Sequence, residues 1–377
     1  MGWFDADATR KKLLMSTCIQ GLGLAVPKHF INQAEAAHYA LASCVASDKQ
    51  RQLATRLYLR SGVESRHSVL LNSSTNGETA AQSYYEPSTE TQPFGPTTAE
   101  RMQTYRSEAE KLAIEAAGKA LLASGVEPAA ITHVVTVSCS GFDAPGVDVS
   151  LITELGLKQQ VARTHVGFMG CHGAMNGLRV AKAYANADPN VQVLLVAVEL
   201  CSLHYQYEWT NERMVSNSLF ADGAAAVVVS NAEQSKSLWS IGESLAEIVP
   251  ESRDAMTWRI GDHGFEMTLS PAVPQLIKQE LRPRLEAWLS QGDLSLDQIA
   301  GWAVHPGGPR ILQACSEALS LPDSALAASF DVLRRFGNMS SPTVLFVLHE
   351  LEQQITGPTV ALGFGPGLAI EGCLLYR

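Results

Sequence analysis

The sequence predicts an α/β fold written twice, a mainly parallel β-sheet covered on both faces by helices. Three observations carry this. Stretches with helical apolar spacing alternate with short, uniformly apolar runs, the pattern of strands buried on both faces. One unit (helix, strand, turn, helix, two strands) recurs: the strands His133–Ser138 and Gly301–His305 start 168 residues apart (301 − 133), and the turns after them put Cys171 and Asn338 at matching points 167 residues apart (338 − 171). Finally, 377 residues with 46% apolar and 18% charged content suffice for a large core and two or three structural units. The halves are assigned to residues 1–235 and 236–377.

Taken in order, Leu13–Leu24 reads as a strand that Pro27 ends. Residues 32–60 read as helical, with Arg51, Arg56 and Arg60 crowding the last turns, and residues 71–97 as loop. Thr97-Thr-Ala-Glu100 matches a capping box and opens a long helix ending near Ser124. Strand His133–Ser138 follows, then Gly167-Phe-Met-Gly-Cys171 at the head of a helix, Gly173–Asn186, and the strands Val191–Glu199 and Ala224–Ser230. The second copy runs through Val273–Ser290, Gly301–His305, Arg335-Phe-Gly-Asn338 at the head of another helix, Thr359–Phe364 and Leu368–Tyr376. The first copy alone has a long connection between its closing strands, Leu200–Phe220, holding Cys201, His204, Tyr205, Tyr207, Trp209 and Phe220. Connections of that length are often functional.

Composition removes several classes of function. A net charge of −10 without a Lys/Arg block argues against nucleic-acid binding, so an anionic ligand needs a local basic patch. The seven cysteines form no CxxC pair and no zinc-like spacing, which predicts no metal site and a reducing compartment. The N-terminus lacks the basic-then-apolar order of a signal peptide, Ala6 breaks a myristoylation motif, and no apolar run approaches the ~20 residues of a membrane span. The expectation is a soluble cytoplasmic protein.

Cys171 carries the first chemical signal. Backbone N–H groups at a helix start stabilise an anion, so a thiol there ionises more readily; the competing reading is a small buried hydrophobe. His305, in Trp302-Ala-Val-His305-Pro-Gly-Gly-Pro-Arg310, ends an apolar strand where open α/β sheets place ligands; it could hold Cys171 as thiolate or be a core histidine. Asn338, in Gly337-Asn338-Met-Ser340-Ser-Pro342, could stabilise an oxyanion beside His305 or cap a helix. His172 adjoins the nucleophile, but helical geometry turns it about 100° away, which predicts packing. Gly363, Phe364, Gly365, Pro366 and Gly367 form a turn whose glycines let backbone approach a ligand or the nucleophile.

Together these motifs resemble the type III polyketide synthases, the chalcone-synthase-like branch (bacterial type) of the thiolase fold, over roughly Leu13–Tyr376. Ser218-Leu-Phe220-Ala-Asp-Gly-Ala-Ala adds the segment where that family keeps a gatekeeper phenylalanine, Phe220. The resemblance implies two thiolase-like halves in an αβαβα five-layered sandwich, the first with the nucleophile and the second with His305 and Asn338. It implies an acyltransferase that loads an acyl-CoA starter onto Cys171 and condenses malonyl-CoA with it repeatedly, decarboxylating each time, before the product cyclises to a pyrone, resorcinol or related ring. It implies no cofactor beyond the CoA thioesters, and a homodimer. Arg56 and Arg60 map to the family's tunnel entrance, and Arg310 joins them as a CoA-binding candidate by position. Met267 falls where plant enzymes keep a second gatekeeper phenylalanine, Trp258 where they keep a floor glycine, and Ala144 where a methionine reaches into the neighbouring subunit. Cys139 and Cys201 replace threonines, and Ser340 belongs to the cavity wall. Two alternatives stay open: a single-extension ketoacyl synthase of the fatty-acid priming type, and an inactive thiolase-fold binding subunit.

Overall fold

The computed structural model describes residues 17–44, 47–74, 82–231 and 237–377. The first half contributes β1 (Thr17–Ala25), β4 (His133–Ser138), β5 (Ala162–Gly167), β6 (Gln192–Leu200) and β7 (Asp222–Asn231) to a nine-stranded sheet; the second contributes β8 (Trp239–Ile248), β11 (Gly301–Val304), β12 (Pro358–Gly365) and β13 (Ala369–Tyr376). The order is β11-β12-β13-β8-β1-β7-β6-β4-β5. The halves meet along β1 and β8 through the pairs Cys18–Ser240 and Ile19–Trp239. Outward from that seam the pattern repeats, β7-β6-β4 mirroring β13-β12-β11, with β5 an extra edge strand of the first half.

The sheet is mixed, not mainly parallel. Parallel pairing is confined to β4–β5, β4–β6 and β11–β12; the other five neighbouring pairs are antiparallel. The uniformly apolar strands reported burial on both faces, and burial does not depend on strand direction. Alternation of side chains then builds five layers. Val135 and Val137 of β4 and Ala225, Val227 and Val229 of β7 point to a central layer formed by α5 (Gly173–Ala187) and α10 (Thr343–Leu351), while Val134, Leu194 and Val228 point out to the alanine-rich face of α3 (Thr98–Ser124). Leu362, Val304 and Ile370 face an outer layer of α7 (Val273–Ser290) and α8 (Pro309–Leu319). Helix α10 is buried continuously from Thr343 to Leu348, which its almost wholly apolar sequence permits.

Several boundaries move. Strand β1 spans Thr17–Ala25, and residues 13–16 of the expected strand lie outside the described residues. The expected helix over 32–60 is two helices, α1 (Gln33–Ser43) and α2 (Asp48–Leu59), the second opened by a Ser47–Gln50 capping box. Thr97 and Glu100 form the predicted capping box at the head of α3. Short strands β2 (Phe30–Asn32) and β3 (Ser65–His67) pair with each other, and α4 (Val147–Glu154) follows β4. The long connection contains a helix, α6 (Asn211–Leu219), and an unforeseen hairpin, β9 (Met256–Gly261) with β10 (Gly264–Leu269), sets Trp258 opposite Met267.

The repeat is real, but Asn338 is not the counterpart of Cys171. Helices α5 and α10 begin 170 residues apart (343 − 173). At that shift Gly170 (φ 82°) matches Ser340 (φ 56°), and the turn bonds match too: Gly173 N–H donates to Gly170 O at 2.9 Å and Thr343 N–H to Ser340 O at 3.1 Å. Ser341 is therefore the counterpart of Cys171, and Asn338 stands three residues earlier. The first half reaches its turn through strand β5 and the second through helix α9 (Ala327–Phe336), so a count from β4 and β11 slips before the turn.

Candidate active site

Cys171 sits in the β5–α5 turn, 7% exposed, and the Ser340 hydroxyl approaches its Sγ at 3.6 Å. Burial pushes the thiol up to about 11, against the pull of the Ser340 hydrogen bond. The helix start that should favour a thiolate is outweighed by desolvation. His305 follows the last residue of β11, its N–H donating to Leu362 O at 2.7 Å. Its ring is fully buried, and both nitrogens lack a hydrogen-bond partner. Burial lowers the imidazole to about 3, and neighbouring His172 acts in the same direction. An unpartnered buried imidazole is costly, and here it faces a cavity shared with Cys171 and Asn338.

Asn338 is not a helix cap; α10 begins five residues later, after Pro342. Its N–H donates to Leu219 O at 2.8 Å and its carbonyl accepts from Ala221 N–H at 2.9 Å, a bridge that brackets Phe220. Its Oδ1 accepts from Ser340 N–H at 2.8 Å, which assigns the amide and turns Nδ2 toward the Cys171 thiol and the cavity.

A second chamber adjoins the first, lined by Cys139, Cys171, Cys201, Phe220, Trp258, Met267, Ser340 and Pro366, with about 370 Å³ of empty space. Glu199, the next-to-last residue of β6, is fully buried and lies in the wall of this chamber. It accepts from Ser140 Oγ at 2.6 Å, Ser341 Oγ at 2.6 Å, and the N–H groups of Cys139 and Ser140 at 2.9 and 3.0 Å. Burial raises its carboxyl above the usual range while these donors oppose the shift. Trp258 is pinned by its indole N–H to Cys139 O at 2.8 Å, and His204 donates from Nε2 to Ser140 O at 2.7 Å while Nδ1 accepts from Phe265 N–H. His204 also stacks on Phe265 at 4.2 Å, and burial lowers it to about 3.

Cys201, Phe220, Trp258 and Met267 also line a larger cavity that opens to solvent, about 970 Å³ with the open part counted. It reaches Ile31, Ala36 and Ala40 around α1, Tyr58 of α2, and Leu71 and Tyr205. These four of the predicted cavity residues thus stand on a shared wall, and Cys139 and Ser340 line only the chamber that holds Cys171. Ala144 is exposed and lines none of these spaces. Arg56, Arg60 and Arg310 are exposed, and the turn after α2 brings Gly62 against Pro309, next to Arg310.

The glycine turn is not open to a ligand along its length. A Cβ on Gly365 would stand 2.2 Å from His172 Cδ2, and one on Gly170 would stand 2.3 Å from Pro366 Cδ. Gly365 makes room for His172, and Gly170 for the turn itself; Phe364 and Pro366 alone reach the cavities. Gly367, at φ 74°, donates to Met256 O at 2.9 Å. Residues missed in the sequence are Glu199, His204, Met256 and Ser341. Glu199 left a signal, a lone acid closing an otherwise apolar strand; the other three left none.

Comparison with known proteins now bears on these features. Residues 8–233 match the N-terminal domain of the chalcone and stilbene synthases, and residues 240–377 the C-terminal domain. The chain is 32% identical to the alpha-pyrone synthesis polyketide synthase-like Pks18 of Mycobacterium tuberculosis, over 94% of this chain and 90% of that protein. It is 31% identical to the 1,3,6,8-tetrahydroxynaphthalene synthase of Streptomyces peucetius subsp. caesius, over 95% and 93%. The crystal structure of PKS-I from the brown alga Ectocarpus siliculosus superposes with a TM-score of 0.89 at 30% identity, over 96% of this chain and 98% of that one. The chain belongs to the chalcone and stilbene synthase family, the type III polyketide synthases, enzymes that transfer and condense acyl groups.

Proposed function

We propose that this enzyme loads an acyl group from an acyl-CoA onto Cys171 and extends it with malonyl-CoA in repeated decarboxylative condensations. The observation that carries this is the fully buried His305 ring, unpartnered at both nitrogens, in one cavity with the Cys171 thiol and Asn338. At neutral pH thiol and imidazole are both neutral, as their opposed shifts require. Passing the thiol proton to His305 creates both charges side by side, which costs less than burying either alone. The thiolate attacks the acyl-CoA carbonyl, and the CoA sulfur leaves with the proton from His305. Malonyl-CoA then places its thioester oxygen between His305 and the Asn338 amide; the bond to its carboxylate breaks, CO₂ departs, and the electron pair forms an enolate held by those donors. The enolate carbon attacks the Cys171 thioester and expels the thiolate, giving a β-ketoacyl-CoA two carbons longer, ready to be reloaded or to cyclise to a pyrone, resorcinol or related ring.

Phe220 stands at the junction, its backbone fixed by Asn338 on one side and by Arg66 Nη1, which donates to Phe220 O at 2.9 Å, on the other. Arg56, Arg60 and Arg310 form the basic mouth that an acidic protein needs for CoA. The large cavity around Ala36, Ala40, Leu71 and Tyr58 takes the apolar tail of the starter, since the catalytic chambers are too small for it. The nucleophile comes from the half spanning residues 1–235, its partners from 236–377, and two such chains form a cytoplasmic homodimer in which Ala144 sits at the contact. CoA thioesters are the only small molecules required. Among the described residues no helix is long and apolar enough to cross a membrane. The test is mass spectrometry of products from malonyl-CoA offered with straight-chain acyl-CoAs of rising length. Cyclised products extended more than once are expected; one extension with linear release would sink the proposal.

A further inference from the structure

His172 has more to do than fill space. Its ring is 2% exposed and lies under the end of β12: a Cβ on Gly365 would stand 2.2 Å from Cδ2 and 2.4 Å from Nε2, and one on Gly363 would stand 3.1 Å from His172 Cβ and 3.8 Å from His305 Cβ. Gly363 is therefore the spacer between the turn that carries Cys171 and the strand end that carries His305. The ring is also tethered. Asn176, one turn further along α5, gives its amide N–H to Glu371 Oε1 at 3.0 Å, so its Oδ1 must accept the Nδ1–H of His172 at 2.7 Å. Glu371 is the cross-strand partner of Gly363 and is clamped by Arg179, at 2.6 Å from Nη1 to Oε2 and 3.3 Å from Nη2 to Oε1. The chain Arg179–Glu371–Asn176–His172 thus starts at the protein surface, passes through the second half at Glu371, returns to α5, and ends behind the two reacting side chains.

We propose that His172 is a positioning residue: this tether fixes its imidazole in one tautomer and one place, and the ring sets the spacing of Cys171 from His305. The proposal rests on the condensing function above. The groups that face His172 are Asn176 and Arg179 from α5, Glu371 from β13, His305 from the end of β11, and Cys171 beside it; β12 presents only glycine backbone.

The alkylation arm of the test reads Cys171 alone, so it stands even if no CoA thioester proves to be a substrate. The rate of Cys171 alkylation by iodoacetamide is followed against pH in the wild type, His172→Phe, Glu371→Gln and the double variant, together with kcat and KM for malonyl-CoA decarboxylation. Phenylalanine keeps a ring under Gly365 but cannot donate to Asn176. Loss of spacing should slow alkylation at neutral pH about tenfold, displace its pH profile upward, and lower kcat with KM little changed. Because both residues act through one chain, the double variant should be no slower than His172→Phe. A His172→Phe profile that overlays the wild type, or a double loss equal to the product of the single losses, overturns the proposal. Should His172→Phe fail to fold, Arg179→Gln replaces it, since that side chain is 40% exposed; the same shift in smaller degree is expected, and wild-type behaviour overturns the idea.

Discussion

Ser341 donates its hydroxyl to Glu199 Oε1 across 2.6 Å, joining the residue that the internal repeat sets opposite Cys171 to a buried carboxylate of the other half. The two halves have thus put equivalent turn positions to different uses. One presents a thiol to the cavity; the other ties the halves together beneath it.

That tie can be weighed. Glu199→Ala would orphan the hydroxyls of Ser140 and Ser341 and two buried N–H groups. A loss of about 2–4 kcal/mol in urea unfolding is expected, and a smaller one for Glu199→Gln, which keeps one acceptor.

Asn338 and His305 separate by chemistry. Asn338→Ala should lower malonyl-CoA decarboxylation about 10²–10³-fold by removing an oxyanion donor, while iodoacetamide alkylation of Cys171, which loses only one of the hydrogen bonds to the thiol, slows far less. His305→Ala should lose both activities. Equal effects of the two variants on alkylation would refute the division of labour.

Gly365→Ala forces a methyl into the His172 ring at 2.2 Å. Overpacking of this kind costs about 1–3 kcal/mol or more, read as a fall in Tm. Gly365→Ala combined with His172→Ala should recover part of the loss; a double variant less stable than Gly365→Ala alone would show that the clash is not the cause.

The large cavity ends against α1, where Ala40 is 4% exposed and lines the wall. Ala40→Phe should shorten the longest acyl-CoA accepted and leave kcat/KM for short starters unchanged. The product ladder by mass spectrometry decides this, and an unaltered length limit would place the acyl tail elsewhere.

Stability should fall in acid for a definable reason. His204 and His305 are lowered to about 3 from an ordinary 6.5, so between those pH values the unfolded chain binds more protons than the folded one. Each ring then contributes stability that is present above pH 6.5 and is lost as pH falls toward 3, at no more than about 1.4 kcal/mol per pH unit. Unfolding titrations at pH 7 and pH 5 should show this slope, and His305→Gln should reduce it by one imidazole's share.

Much of the site was legible because its chemistry is written locally. Cys171 between a glycine and a helix start, His305 before Pro-Gly-Gly-Pro, and Asn338 after Gly337 each carry their own signature. Glu199 was half legible, as a charge at the end of an apolar strand. His172 was legible as packing but its tether was not, because a periodicity argument gives the direction of a side chain and not its partners; Asn176 and Glu371 are 4 and 199 residues away (176 − 172, 371 − 172).

By itself the sequence determined the layers, the duplication and the candidate reacting groups, since alternating apolar spacing, capping residues and glycine turns act over a few residues. Only the tertiary structure decided strand direction, the true register of the repeat, and the size and course of the cavities. Those depend on which faces meet across the β1–β8 seam and the central helices α5 and α10, contacts between residues far apart in the chain. The candidate nucleophile could be read from its neighbours in sequence; what surrounds it could be read only from its neighbours in space.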